Sequence, residues 1–229
     1  YQRGLPSEPL AVSVPGISNS ITVDSSSGSD IAGCGTLESP CASIKRGLVH
    51  ANITGQTISV HPGTYRESEL MPHAPGIKLY ANGSNVVINC GKRPCFLTNE
   101  NEVTKKNFFF TEIDGFTISN GTADRGGCVY INGMEASVTI INTRVENCTA
   151  TQSGGGLYAT DSANIMLENV QFNANTAVET GGGLFIKSTT HTKLKKSFFR
   201  ENKASSGGGL AVVNDGYGKS VSEVSATSP

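Results

Sequence analysis

Cysteine is the most reactive side chain in this sequence, and there are six: Cys34, Cys41, Cys90, Cys95, Cys128 and Cys148. Four of them form two close pairs, in "CGTLESPC" and "CGKRPC". A metal centre needs about four thiolate or imidazole ligands at short paired spacings. Separations of seven and five suit small disulfide loops better. The expected bridges are therefore Cys34–Cys41 and Cys90–Cys95. Cys128–Cys148 follows mainly by elimination, and the alternative is two buried free thiols. Four N-x-S/T sequons accompany the cysteines, at Asn52, Asn82, Asn120 and Asn147. Each is weak alone and arises by chance in an Asn/Ser/Thr-rich chain. With an even cysteine count they point to a secreted, N-glycosylated protein of a eukaryote-like pathway.

Other chemistry is sparse. The histidines, His50, His61, His73 and His191, each stand among non-ligand neighbours, so neither a metal nor a cofactor is expected. Asp114, Asp124 and Arg125 are close in sequence and read as solvated turn residues. No G-x-S-x-G or GK[ST] word occurs. The formal net charge is −1, from 18 basic and 19 acidic residues, so there is no basic excess to neutralise phosphates and no nucleic-acid partner is expected. No apolar run approaches the roughly 18 residues of a membrane span.

What must position these residues is a repeat. "IDGFTISNGTA", "IINTRVENCTA", "LENVQFNANTA" and "LKKSFFRENKA" start at Ile113, Ile140, Leu167 and Leu194, 27 residues apart each time. Ile118, Val145, Phe172 and Phe199 keep that step, and so do Gly121, Cys148, Asn175 and Asn202. A glycine word follows each copy: "RGGCVYING", "GGGLYATDS", "GGGLFIKST" and "GGGLAVVND". The segments are short, alternating and rich in β-branched and aromatic residues, with no helical spacing. Glycine triplets disfavour a helix further, at about 1 kcal/mol per residue. The object that fits is an all-β, right-handed parallel β-helix of about 27 residues per coil, in which equivalent residues stack at the strand spacing. Aligning the last glycines of each word puts Cys128 with Leu157 and Leu184 on the inner side. Val129, Tyr158 and Phe185 then form an outer column, a strip for sugar or a partner subunit, or else a surface shielded by a loop.

The words "FNAN" (Phe172–Asn175) and "FREN" (Phe199–Asn202), with the glycine words, resemble repeats of the polymorphic outer-membrane-protein family. "ITVDSSSGSDIAGCGTLESPCASIKRGL" followed by "QTISVHPGTYRES" resembles the opening of pectin-lyase-like extracellular proteins, where a first strand and a small amphipathic helix cap the β-helix. The resemblance spans roughly residues 21–215 and departs at "VENC" and "ISNG". It implies a fold whose members include lyases, hydrolases and epimerases of acidic polysaccharides. The words N-T-D, G-D-D, G-H-G and R-I-K of polygalacturonase-type sites are absent, and no acidic run recurs at coil spacing to hold calcium.

Along the chain, residues 1–20 read as an extended arm whose "LAVSV" (Leu10, Val12, Val14) alternates like a strand. Residues 21–56 form an N-terminal cap, with a helix in "ASIKRGLVHAN" facing Ile44, Leu48 and Val49 to the coils. Residues 57–110 are irregular early coils, with "VVIN" (Val86–Asn89) expected one repeat below Ile113. Residues 111–215 are regular coils and 216–229 a Ser-rich tail. No C-terminal cap is legible, so a second copy is expected to cover the last coil by head-to-tail assembly. The functional expectation is an extracellular structural or adhesive protein, not an enzyme, assembling as a filament or on a cell surface. A polysaccharide-binding or polysaccharide-degrading protein is the alternative, marked by a cleft with two acidic side chains within about 10 Å.

Overall fold

The computed structural model describes residues 19–100, 107–108, 110–133, 137–160, 164–187, 191–213 and 224–225. They wind into a parallel β-solenoid whose coils visit four sheets in turn. Sheet I has eight strands: Ser20–Val23, Thr57–Val60, Lys78–Ala81, Glu112–Asp114, Ser137–Ile141, Asn164–Glu168, His191–Lys195 and Val224–Ser225. Sheet II has six: Gly63–Tyr65, Val86–Asn89, Thr117–Ser119, Arg144–Glu146, Gln171–Asn173 and Phe198–Arg200. Sheet III is short, with Thr122–Arg125, Thr149–Ser153 and Thr176–Ala177. Sheet IV holds Phe96–Leu97, Val129–Asn132, Leu157–Thr160, Leu184–Lys187 and Leu210–Val213. Pairing within these sheets is parallel, and a separate antiparallel pair joins Asn99–Glu100 to Asn107–Phe108.

The 27-residue step is the register itself. Ile113, Ile140, Leu167 and Leu194 stack in sheet I, and Ile118, Val145, Phe172 and Phe199 in sheet II. Strand alternation sends these side chains into the tube, where all but Phe199 are buried. Each such side chain contributes about 1.5–3 kcal/mol by leaving water. The Phe172 and Phe199 rings lie 5.1 Å apart and nearly parallel.

The glycine word serves the corner between sheets III and IV. Gly126, Gly154, Gly181 and Gly207 all have φ between 59° and 69°, the left-handed region that penalises a side chain. At the next position the coils approach backbone to backbone: a Cβ on Gly155 would fall 2.3 Å from the Gly182 carbonyl oxygen. These left-handed glycines fix the register of the degenerate copy and correct the sequence alignment. Gly126 is the first glycine, so Cys128 occupies the third-glycine position. Val129 pairs with Leu157 and is buried on the inner side, and Tyr130 takes the outer position beside Tyr158.

A second correction concerns the early coils. Val86–Asn89 lies in sheet II, where Ile88 pairs with Ile118, and Ile113 stacks on Leu79 instead. The coil between Leu79 and Ile113 is thus longer than 27 residues, because it contains the antiparallel pair. Before that coil, the helix Ile44–His50 covers the N-terminal end with Ile44, Gly47 and Leu48. Val49, expected to face the coils, is 53% exposed, because Gly47 fills that role by coming against Val23 and Ile58.

The two ends differ. Ser43 accepts the Arg46 N–H at the helix start, and the Glu67 carboxylate accepts those of Ile44 and Lys45, both at 2.7 Å. Asp30 accepts from the Ala42 and Ser43 N–H groups and from the Ser43 hydroxyl. At the far end Phe199 and Leu210 are only partly buried, and Val212 and Val213 are each 42% exposed. Among the described residues no strand lies beyond Leu210–Val213 in sheet IV. In sheet I, Val224–Ser225 returns to pair with Leu194 and Lys195. The Ser-rich tail thus supplies a strand to its own sheet. Leu10, Val12 and Val14 lie outside the described residues.

Candidate functional site

Cys34–Cys41 and Cys90–Cys95 are bridged as their spacing suggests, and Cys128–Cys148, reached by elimination, is a bridge rather than two free thiols, the three Cα separations being 4.9, 4.8 and 5.6 Å. The structure adds what the spacing could not show, namely that the last two bridges touch. Cys90 Sγ is 3.7 Å from Cys128 Sγ, and all four residues are buried. Cys128 also accepts the Gly121 N–H on its sulfur at 3.3 Å. The Cys128–Cys148 bridge therefore ties one coil to the next through space that the missing side chain of Gly121 leaves open.

Above Cys148 the same column continues as asparagine. Asn175 Oδ1 accepts the Cys148 N–H at 3.0 Å, and its Nδ2 donates to the Val145 carbonyl at 2.9 Å. Asn202 repeats the pattern 27 residues later, accepting from Asn175 N–H and donating to the Phe172 carbonyl. The Asn175 amide also donates to Asn202 Oδ1.

All four sequon asparagines are exposed. Asn120 and Asn147 are left-handed corner residues, with φ of 63° and 56°, between sheets II and III. Their neighbours pair as Ser119 with Glu146 and Thr122 with Thr149, so the two asparagines stack on successive coils. Ala174 and Glu201 continue this left-handed column without a sequon. Asn82 stands apart: its amide is 3.2 Å from His61 Nε2, and His61 Nδ1 is 3.8 Å from Asp24. Hydrogen bonds from the Ser26 hydroxyl and N–H, followed by those from Ser27, lower the Asp24 pKa to about 2. Burial pushes the Glu67 carboxyl up, against the two helix N–H groups it accepts and with the nearby Asp30 charge adding to the rise. Burial opposes ionisation of Asp30 too, but the bonds from Ser43 and Ala42 outweigh it and hold its pKa below the usual range.

The outer aromatic column is Tyr130, Tyr158 and Phe185, with ring centroids 5.6 and 5.0 Å apart and nearly parallel planes. Arg125 lies over the Tyr158 ring at 5.7 Å. Tyr158 is 5% and Phe185 6% exposed, so these rings offer a partner little area and fit the shielded reading. Asp114, Asp124 and Arg125 are strand residues rather than turn residues. They link coils through Asn142, Thr151 and Gln152 respectively.

An open groove of about 480 Å³ runs along the corner between sheets I and II, a feature the sequence reading missed. Asn142 and Asn169 line it and are hydrogen-bonded to each other at 2.9 Å, with Asp114 accepting from Asn142. Arg144, Glu146 and Gln171 supply its polar floor from sheet II, and Arg144 Nε is 3.8 Å from Glu146. The 27-residue interval between Asn142 and Asn169 was the available signal. Among the described residues Glu146 is the carboxylate that lines the groove, and Asp114 reaches it through Asn142. His50 lies with Cys34 and Cys41 in a cluster whose ligand atoms are all within 4.8 Å, but both sulfurs are consumed by their bridge and are not thiolate ligands. Among the described residues no helix is long and apolar enough to cross a membrane.

No family model matches the chain. No curated protein matches it, and neither does any solved structure.

Proposed function

We propose that this chain is an N-glycosylated extracellular β-solenoid with a structural or adhesive role, assembling with further copies of itself. One observation carries the reading: six cysteines are paired within the fold while four sequon asparagines stand exposed on its surface. Paired cysteines belong to an oxidising compartment. Sequons matter only where the chain is glycosylated, and exposed corners tolerate bulk. Assembly draws support from the contrast between a helix-covered N-terminal end and Leu210–Val213, which among the described residues is the edge strand of its sheet. The arm carrying Leu10, Val12 and Val14 is the proposed connector. The test is secretion from a eukaryotic cell, followed by mass measurement before and after enzymatic removal of N-glycans and by imaging for filaments. A glycan-dependent mass and assemblies that vanish on deletion of residues 1–18 support the reading. Secreted protein without sugar overturns the glycoprotein, and unchanged assemblies overturn the arm as connector.

The groove favours a second reading, in which the solenoid binds an acidic polysaccharide without cleaving it. Arg144 offers a cation, and Asn142, Asn169 and Gln171 offer amides suited to sugar hydroxyls and carboxylates. Titration with acidic oligosaccharides would give binding that Arg144→Ala weakens at least tenfold. Equal binding by the variant would exclude the groove.

A further inference from the structure

Asn147-Cys148-Thr149 is a sequon whose middle residue is half of a disulfide, and the other three sequons have no cysteine within the tripeptide. In the folded chain this tripeptide is held from both sides. The Asn147 N–H donates to the Asn173 carbonyl of the next coil at 3.1 Å, and the Thr149 N–H to the Gly121 carbonyl of the previous one at 2.9 Å. Between them Cys148 is 0% exposed, bridged to Cys128, and gives its own N–H to Asn175. The Asn147 side chain is exposed, but the backbone around it is pinned into a left-handed corner.

Resting on the glycoprotein reading above, we infer that glycan transfer to Asn147 competes with closure of the Cys128–Cys148 bridge, so that Asn147 is modified only in chains where transfer comes first. In transfer, Asn147 Nδ2 attacks the anomeric carbon of a lipid-pyrophosphate-linked oligosaccharide. The C–N bond forms, the bond from that carbon to the phosphate oxygen breaks, and the lipid pyrophosphate leaves. The amide proton passes to a base of the transferring enzyme. That enzyme must hold the tripeptide in its own cleft, which requires a backbone free of neighbouring coils. In closure, the Cys128 and Cys148 thiols lose two protons and deliver two electrons to a disulfide oxidant of the secretory pathway. The bridge then ties Cys148 to a residue 20 positions earlier and seats it in the coil interior. Closure removes the substrate form that transfer needs, whereas transfer leaves both thiols free to close afterwards, with the sugar on an exposed side chain.

The proposal distinguishes Asn147 from its stacked neighbour. Asn120 occupies the equivalent corner, but Gly121 follows it, so no bridge locks its tripeptide. Asn82 and Asn52 thus serve as internal controls for any general change in glycosylation, while the Gly121 N–H of the Asn120 tripeptide bonds Cys128 Sγ and leaves that site outside the control set.

The experiment is site-by-site glycopeptide mass spectrometry of the full chain made in a eukaryotic secretory cell, on both the cell-associated and the secreted pools. The wild type is expected to carry sugar on a minority of Asn147 sites and a majority of the controls. Cys128→Ser leaves the tripeptide intact and abolishes the bridge, and it should raise Asn147 occupancy at least twofold with the controls unchanged. Transfer takes place before export from the cell, so the cell-associated pool reports occupancy even if this variant is not secreted. Wild-type chains synthesised under a membrane-permeant dithiol, which delays closure, should show the same rise. Unaltered Asn147 occupancy in both arms, or full occupancy in the wild type, overturns the competition while leaving the glycoprotein reading standing. No sugar at any of the four sites overturns both.

Discussion

The coils around residues 86–150 and those around 157–213 solve one problem with different bonds. Each must hold the corner between sheets II and III to the coil above it. In the later coils a side-chain amide does this: Asn175, which is buried, and Asn202, which is half-buried, each satisfy an N–H and a carbonyl of the preceding coil. In the earlier coils sulfur replaces it, with Cys128–Cys148 covalently joining two coils and Cys128 Sγ accepting the Gly121 N–H. Two sequons, Asn120 and Asn147, lie in the earlier coils, and the other two, Asn52 and Asn82, precede them. The contrast teaches that one backbone corner accepts either a covalent or a hydrogen-bonded tie. The choice determines whether its stability depends on the redox state of the surroundings.

The largest expected effect strikes what both regions share. Gly155→Ala places a methyl 2.3 Å from the Gly182 carbonyl oxygen and 2.5 Å from that of Thr176. Neither coil can retreat without breaking the stack, so a loss of about 4 kcal/mol or more is expected, seen as failure to be secreted or a collapsed unfolding midpoint. Wild-type behaviour would mean the coils are not in this register.

Next come the ties themselves. Opening Cys128–Cys148, which closes a loop of 20 residues, should cost about 3 kcal/mol, and opening the five-residue loop Cys90–Cys95 about 2 kcal/mol, by the loop-closure model. Asn175→Ala should cost about 2–3 kcal/mol, because the buried Cys148 N–H and Val145 carbonyl both lose their partner. Asn202→Ala, in a half-exposed coil, should cost about 1 kcal/mol, since water can replace the lost bonds. Denaturant unfolding of the set under oxidising conditions ranks them. Equal costs for Asn175 and Asn202 would remove the distinction between interior and end.

The smallest effect is the pH response of the N-terminal cap. Asp24 and Asp30 are held below their ordinary values, so their stabilising contribution is present above about pH 4 and fades as pH falls through their lowered values. Glu67 is raised, so the folded state binds its proton more readily than the unfolded one. Stability then falls as pH rises from the ordinary glutamate range through the raised value. Unfolding midpoints across pH 3–8 should therefore peak in mildly acidic buffer. Glu67→Gln should flatten the alkaline limb and leave the acid limb intact. An unchanged profile in the variant would mean that Glu67 does not titrate differently in the folded chain.

Much of this was legible because a solenoid writes its packing as a period: Ile113, Ile140, Leu167 and Leu194 announce their own stacking. The inner asparagine ladder and the two short disulfides were equally readable. The assignment of Val129 failed because "RGGCVYING" lacks its third glycine, and only the left-handed φ of Gly126 reveals which glycine comes first. Val86 was misplaced because the long coil before Ile113 breaks the period. The groove escaped notice because Asn142 and Asn169 look like ordinary turn residues until the register stacks them. The contact between Cys90 and Cys128 depends on the third dimension of the coil, which spacing does not encode.

The division between a sulfur-tied and an amide-tied region is tested most directly by hydrogen exchange read by mass spectrometry on the native protein, with and without a reductant. In the oxidised protein the coils spanning 86–150 and 157–187 should both be protected, with residues 198–213 exchanging fastest. Reduction should collapse protection across 86–150 first and most, while 157–187 retains a measurable part of its protection. A uniform loss over both spans, or a loss beginning in 157–187, would contradict the account.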